Sequence, residues 1–414
     1  VKFNKKKTEK GFLILSWSLY DLANQFFALN VVSLYFPRWL TMQKRAPEVF
    51  YSLAFGVSMF LVAVCAPFLG AVSDIRGRRK TFLIYFTILS IIFTVGLGFC
   101  TNIFLALLFF AIANFGCQEA IIFYNALMVE VAPRKRIGLV SGLGRMFGYS
   151  GAIIALFVTK PVILNMGYQA TFVFTGVLFL IFSLPCLIFV KEGTREEGAS
   201  LPYSSAKEKT VHVLGRLKET ISGRGGFTHL RDFLKASFFL LCAVNTIILF
   251  MSVYAGKAFG LSEGRIIDLV AFSTIFAIIG SLVSGYVSDL IGHKRSLLIV
   301  FFLWGIMFLA GGILDAPFHW LVGALAGLSL GCTWVILRAL VIKLVPEERI
   351  GEAFGLFNLV NYASGVIGPL FWGLMLLYLS RFGEIGYRLS LLSMILFIVI
   401  GAYFISKLRQ EAAG

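Results

Sequence analysis

The stretch GAVSDIRGRRK, Gly70 to Lys80, returns as GYVSDLIGHKR, Gly285 to Arg295, and places Asp289 215 residues after Asp74. A second pair of strings keeps almost the same interval: APRKRIG recurs as VPEERIG, with Pro346 following Pro133 by 213 residues. Two anchors with nearly one offset mark two parallel repeats, and in membrane proteins such halves rock about a site between them. Alternating access is the mechanism this organisation predicts.

The residues around each anchor put both repeats in lipid. Of the 414 residues, 58% are hydrophobic and 14% charged, and the mean hydropathy is +0.88. A soluble domain has roughly 45–50% apolar and about 25% charged residues. Apolar runs fall at 12–39, 50–72, 81–100, 103–131, 138–160, 170–190, 233–255, 266–287, 296–314, 318–345, 352–379 and 388–406. Lipid gives backbone groups no hydrogen-bond partner, so runs of this length predict helices, whereas a barrel would alternate polar and apolar residues. The expected fold is an all-α integral membrane protein with twelve transmembrane helices in two pseudo-symmetric six-helix bundles. Residues 1–190 form the first bundle and 232–414 the second, with a cytoplasmic linker at 191–231 that is partly helical around VHVLGRLKETI.

The net charge of +16 does not point to nucleic acid, because of where it falls. VKFNKKKTEK, DIRGRRK, APRKRIG, the stretch from Lys191 to Lys235, GHKR and KLRQ all fall on one side of the apolar runs. The other side keeps few basic residues, among them Arg38, Lys44 and Arg381. This asymmetry predicts both termini in the cytoplasm and a place in the cell (inner) membrane. The first run is too long for a signal peptide and lacks a small-x-small cleavage site, so it reads as a retained helix. Six cysteines without a CxxC pair and four histidines without an HExxH pattern predict no disulfide framework, metal site or cofactor. With no GxSxG string either, an enzyme is not expected.

The pattern G-x-x-x-D-x-x-G-[RH]-[RK]-[RK], present twice, resembles the signature of the major facilitator superfamily. The strings YDLANQFFALNVVSLYFP, IIFYNALMVEVAPRKRIGLVSGLGRMFGYSGA, AVNTIILFMSVYA and GLFNLVNYASGVIGPLFWG resemble one branch of it, the autophagy-related vacuolar effluxers. The resemblance covers nearly the whole chain outside the linker and implies amino-acid efflux. It also implies that Asp74 and Asp289 hold an inner gate. Asp74 would accept hydrogen bonds from the first turn of the eleventh helix and Asp289 from that of the fifth, since a helix N-terminus carries about +0.5 of an elementary charge. Gly70, Gly77, Gly285 and Gly292 belong to the same motif, with Gly77 and Gly292 permitting the tight turn. Arg78, Arg79, Lys80, Lys294 and Arg295 are expected in water or among lipid headgroups.

A second set of residues lies deep in the apolar runs. Asp21 sits about ten residues, or roughly 15 Å, inside the first helix. A carboxylate there costs about 2.5–3.5 kcal/mol on insertion scales, so it should face a protein interior or an aqueous cavity. Glu119 and Arg145 reach a similar depth. One reading makes Asp21 or Glu119 a proton acceptor and Arg145 the partner of an anionic substrate group; another joins Glu119 to Arg145 as a structural salt bridge. In the second half the resemblance leads to an expected acid three positions before Asn245, and the chain has Cys242 there. Arg338 is a second deep cation, suited to a carboxylate or phosphate, or else able to reach the inner surface and pair with a cytoplasmic acid. Asn24, Gln25, Gln118, Tyr124, Asn125, Tyr149, Asn358, Asn361 and Tyr362 are placed to line a cavity or to tie helices together.

These features predict a secondary active transporter for a small zwitterionic or anionic metabolite, an amino acid favoured, with protons as the coupling ion. A monomer in the bilayer is expected. A lipid or lysolipid transporter of the same fold and a non-transporting membrane sensor are the alternatives.

Overall fold

The computed structural model describes residues 2–193, 215–220, 222–223 and 227–407. Helix α1 (Lys2–Phe27) runs on through two stretches of wider turns, Ala28–Leu34 and Trp39–Gln43, on either side of the turn Tyr35–Arg38. Pro37 lies between them. Its ring removes one donor from the helical ladder, and a widened turn absorbs the mismatch. Helices α2 (Glu48–Arg76) and α3 (Arg79–Leu97) meet at Gly77, whose φ of 60° and ψ of 31° are left-handed. The Gly77 N–H caps the carbonyls of Ser73 and Asp74, which is the turn the motif glycine is expected to make. Helix α4 (Ile103–Ala126) starts on Asn102, whose side chain accepts from the N–H groups of Phe104 and Leu105.

The 53-residue segment Ile137–Phe189 is broken at Gly167 (φ 80°, ψ −175°), which divides it into α5 (137–166) and α6 (168–189). The second half holds α7 (Thr228–Ala258), α8 (Glu263–Ile291), α9 (His293–Ile313), α10 (His319–Lys343), α11 (Ile350–Leu379) and α12 (Glu384–Ser406). Among the described residues there is no strand. Among the described residues ten helices are long and apolar enough to cross a membrane; one of them contains both α5 and α6, and α1 with its widened turns is a further span, which brings the total there to twelve.

The chain divides into two compact units. Unit 1 comprises Val1–Arg134, Leu143–Leu217 and Pro346–Gly355; unit 2 comprises Lys135–Gly142, Lys218–Val345 and Leu356–Gly414. Each unit therefore takes the first turns of one helix whose remainder belongs to the other, α11 for unit 1 and α5 for unit 2. Of the linker expected to be partly helical, residues 215–220 are helical, and 194–214 lie outside the described residues.

Unit 1 is knit by aromatic rings and by small polar ties. Trp17, Tyr20 and Tyr124 stack at centroid distances of 4.6 and 4.8 Å, and the Tyr20 hydroxyl meets Thr87 Oγ1 at 2.5 Å. Asn30 Nδ2 donates to Thr159 and Thr175, both at 3.0 Å, pinning the end of α1 to α5 and α6. In unit 2, Trp304 Nε1 donates to Thr333 Oγ1 at 2.8 Å and the Tyr254 hydroxyl to the Gly311 carbonyl at 2.5 Å. These buried polar groups find their partners on neighbouring helices, as a surrounding of lipid favours.

Candidate functional site

The two motif carboxylates sit on two helix starts. Asp74, near the end of α2, accepts from the N–H of Gly351 at Oδ1 (3.0 Å) and of Glu352 at Oδ2 (2.8 Å), in the first turn of α11. Asp289, near the end of α8, accepts from Gly138 at Oδ1 and Leu139 at Oδ2, both at 2.8 Å, in the first turn of α5. Those N–H groups have no acceptor inside their own helices, and the positive end of the helix dipole favours an anion there. The backbones meet closely enough that only glycine fits. A Cβ on Gly285 would stand 2.5 Å from the Gly138 carbonyl oxygen, and a Cβ on Gly70 would collide with the corresponding carbonyl of Gly351.

The clamps differ in what surrounds them. Arg79 is expected in water, and instead its side chain is fully buried. Its Nε donates to Asp74 Oδ1 at 2.7 Å, its Nη2 lies 2.6 Å from the same oxygen, and Nη2 also donates to the Glu347 carbonyl. The correction has a local cause: after the turn at Gly77, α3 begins at Arg79, and the side chain of its first residue is directed back beneath Asp74, five residues earlier. Arg78 and Arg295 are exposed. Lys294 donates to the Ser406 carbonyl at 3.0 Å, and near Asp289 the His293 Nε2 stands 3.6 Å from Oδ1.

Deep in unit 1, Arg145 Nη1 lies 4.0 Å from Asp21 Oδ1, with the two side chains 20% and 6% exposed. Glycines bring α5 against α1 here: a Cβ on Gly148 would touch Asp21 at 3.7 Å, and one on Gly151 would press on Leu22 at 3.0 Å. Arg145, Gly148 and Gly151 fall on one helical face, which is why the guanidinium reaches Asp21. Glu119 is fully buried on α4, and neither carboxylate oxygen has a hydrogen-bond partner among the described residues. Of the two acids that sequence depth makes available to Arg145, the one at ion-pair distance is Asp21. Asn24 Oδ1 lies 3.8 Å from Cys117 Sγ and is buried with Asn125, while Gln25, Gln118 and Tyr149 are partly buried. Tyr124 is buried and stacks on Trp17 and Tyr20.

Unit 2 is neutral at the corresponding places. Asn245 Nδ2 donates to Ser364 Oγ (3.0 Å) and to the side-chain oxygen (3.2 Å) and carbonyl (3.3 Å) of Asn361. Asn358, 213 residues after Arg145, is buried; Tyr362 is partly buried. Arg338 is buried, at 3% exposure.

The family model described as Major Facilitator Superfamily matches residues 22–262 and 233–413. The chain belongs to that superfamily. As a major facilitator it is a multi-pass membrane transporter and not an enzyme. It is 26% identical to the MFS-type transporter YxiO of Bacillus subtilis (strain 168), over 96% of this chain and 95% of that one. It is also 26% identical to autophagy-related protein 22 of Vanderwaltozyma polyspora, over 67% of this chain and 58% of that one. Among solved structures, the proton:xylose symporter XylE matches with a TM-score of 0.72 over 98% of this chain and 97% of that one, at 15% identity, a likeness of fold.

Some residues of this major facilitator escape sequence reasoning. Glu192 accepts from the N–H groups of Arg79 and Lys80, both at 2.9 Å, and so caps α3 from the start of the linker. Arg216 of the linker pairs with Glu352 at 3.2 Å. For Glu352 a signal exists: it follows the repeated glycine at a position where the first repeat has Leu139. Arg216 lies in a polar stretch with nothing to single it out.

Proposed function

We propose that this transporter carries a small zwitterionic or anionic metabolite, an amino acid in the favoured case, by alternating access coupled to protons. It would act as a monomer in the cell membrane with both termini cytoplasmic. The observation that carries the reading is the loose pair of Asp21 and Arg145, 4.0 Å apart with side chains 6% and 20% exposed. A zwitterion entering there offers its ammonium to Asp21 and its carboxylate to Arg145, so each charge keeps a partner while the ligand is bound. The guanidinium binds a carboxylate through two parallel hydrogen bonds. The preference for amino acids rests on the resemblance to the vacuolar effluxer branch.

Glu119 supplies the proton side of the reading. An ionised carboxylate without a partner is costly in a protein interior, so a buried acid whose oxygens accept no hydrogen bond is suited to carry a proton while it is enclosed. The clamps of Asp74 and Asp289 give the cycle its two releasable contacts. Thermal-shift screening of the purified protein against amino acids, peptides, nucleosides and lysolipids identifies the ligand class, and uptake of the best ligand into proteoliposomes under an imposed pH gradient tests the coupling. Stabilisation by amino acids and gradient-driven uptake are expected. Stabilisation by lysolipids alone, or uptake indifferent to the gradient, would overturn the substrate or the coupling respectively.

A further inference from the structure

Three arginines from three separate segments converge on residues 347–352 at the head of α11. Arg79 donates to the Glu347 carbonyl, and Arg134 Nη2 meets Glu347 Oε1 at 2.9 Å. Arg216, on the helical turn 215–220 of the linker, places Nη2 3.2 Å from Glu352 Oε2 and 3.4 Å from the Glu348 carbonyl. This last contact belongs to neither the repeated motif nor the transport reading. Its side chains are 14% and 1% exposed, and Leu217 and Thr220 of the same turn are buried. Glu352 is also the residue whose N–H is accepted by Asp74. One residue is therefore held through its backbone by α2 and through its side chain by the linker.

Among the described residues the Asp289 clamp has no such device. Under the 213-residue interval Glu352 corresponds to Leu139, which has no charge to offer, and the linker occurs once in the chain. Lys294, which corresponds to Arg79, is engaged with the Ser406 carbonyl. The linker contact is thus an addition to the motif and not a by-product of it.

We propose that the linker turn 215–220 is a strap that locks the first turn of α11 onto Asp74 through the Arg216–Glu352 pair. The position of the linker then decides how readily the Asp74 clamp opens, while the Asp289 clamp opens without that control. An ion pair this enclosed is costly to part, which suits it to hold the clamp closed.

Hydrogen–deuterium exchange of the full chain in nanodiscs tests the strap without a substrate, because the N–H groups of Gly351 and Glu352 are the clamp itself. In Arg216→Gln and in Glu352→Gln, exchange over residues 346–356 is expected to rise about tenfold while residues 134–142 keep their wild-type rate. The charge-reversed double variant R216E/E352R is expected to recover protection, and Arg216→Lys, which keeps the charge, serves if the reversal does not fold. Unchanged exchange at 346–356 in both single variants would overturn the proposal. So would an equal rise throughout unit 1, which would make the pair a general prop for the fold.

Discussion

Arg134 and Glu347 stand 213 residues apart, at the same place in the two repeats, and their side chains meet at 2.9 Å. The repeat keeps the backbone geometry of two helix starts and reverses the charge on them: RKR leads into α5 and EER into α11. Being 84% and 48% exposed, the pair belongs to the class that contributes about 0.2–1 kcal/mol. Glu347→Gln is therefore expected to shift the melting temperature by only about a few degrees. It also keeps the carbonyl that Arg79 uses. A drop as large as that of the next variant would show that the side-chain pair, despite its exposure, holds the helix start.

Asp74→Asn and Asp289→Asn should differ, although the motif makes them equivalents. Both lose an anion at a helix N-terminus and a charge-assisted hydrogen bond, a loss of about 1–3 kcal/mol. Asp74→Asn also strands the guanidinium of Arg79, which is fully buried; removing one partner of a buried pair costs about 3–5 kcal/mol. Denaturation in detergent should find the Asp74 variant the less stable by at least about 1 kcal/mol. Equal losses would mean that Arg79 finds other acceptors as good.

Two glycines of one helix separate close approach from helix propensity. Gly70 faces the Gly351 carbonyl, whereas a Cβ on Gly56 meets nothing within 4 Å. Gly56→Ala is expected to be neutral or to stabilise by about 0.5–1 kcal/mol through the helix alone. Gly70→Ala forces α11 away from α2 and is expected to destabilise by about 1–3 kcal/mol or more. If both variants melt together, the backbone contact at Gly70 is slack.

The repeat, the class of fold and the two clamps were legible because each leaves a one-dimensional mark: an interval, an apolar run, a carboxylate beside a glycine turn. The positions of Asp21, Glu119 and Arg145 along their helices were legible too, because depth follows from residue count. What depth does not encode is rotation about the helix axis, and rotation decides that Arg145 faces Asp21 and that Tyr124 stacks between Trp17 and Tyr20. Arg79 was misplaced for a similar reason. Among four basic residues in DIRGRRK, only the start of α3 selects the one that turns under Asp74. Arg216 depends on a tertiary contact between two segments 136 residues apart in number, and a polar linker gives no periodicity from which to infer it.

Asp21 and Glu119 keep different company, and that difference separates binding from coupling. Asp21 has Arg145 at 4.0 Å, so replacing it by Asn removes the charge that offsets the guanidinium and the group proposed to take the ligand's ammonium. Affinity should fall by about tenfold or more, the scale of losing one partner of a buried charge pair. Both gradient-driven uptake and simple exchange of labelled for unlabelled ligand should weaken together. Among the described residues neither Glu119 oxygen has a hydrogen-bond partner to upset, and Glu119→Gln resembles the protonated acid in shape and charge. Exchange across the membrane, which needs no net proton movement, should survive in that variant, while accumulation driven by a pH gradient should vanish. The two assays are run on the same vesicles, so loss of folding would abolish both and is told apart from loss of coupling. If Glu119→Gln still concentrates ligand when the gradient is imposed, the proton travels by another group, and Asp21, the other acid at that depth, becomes the one to replace next.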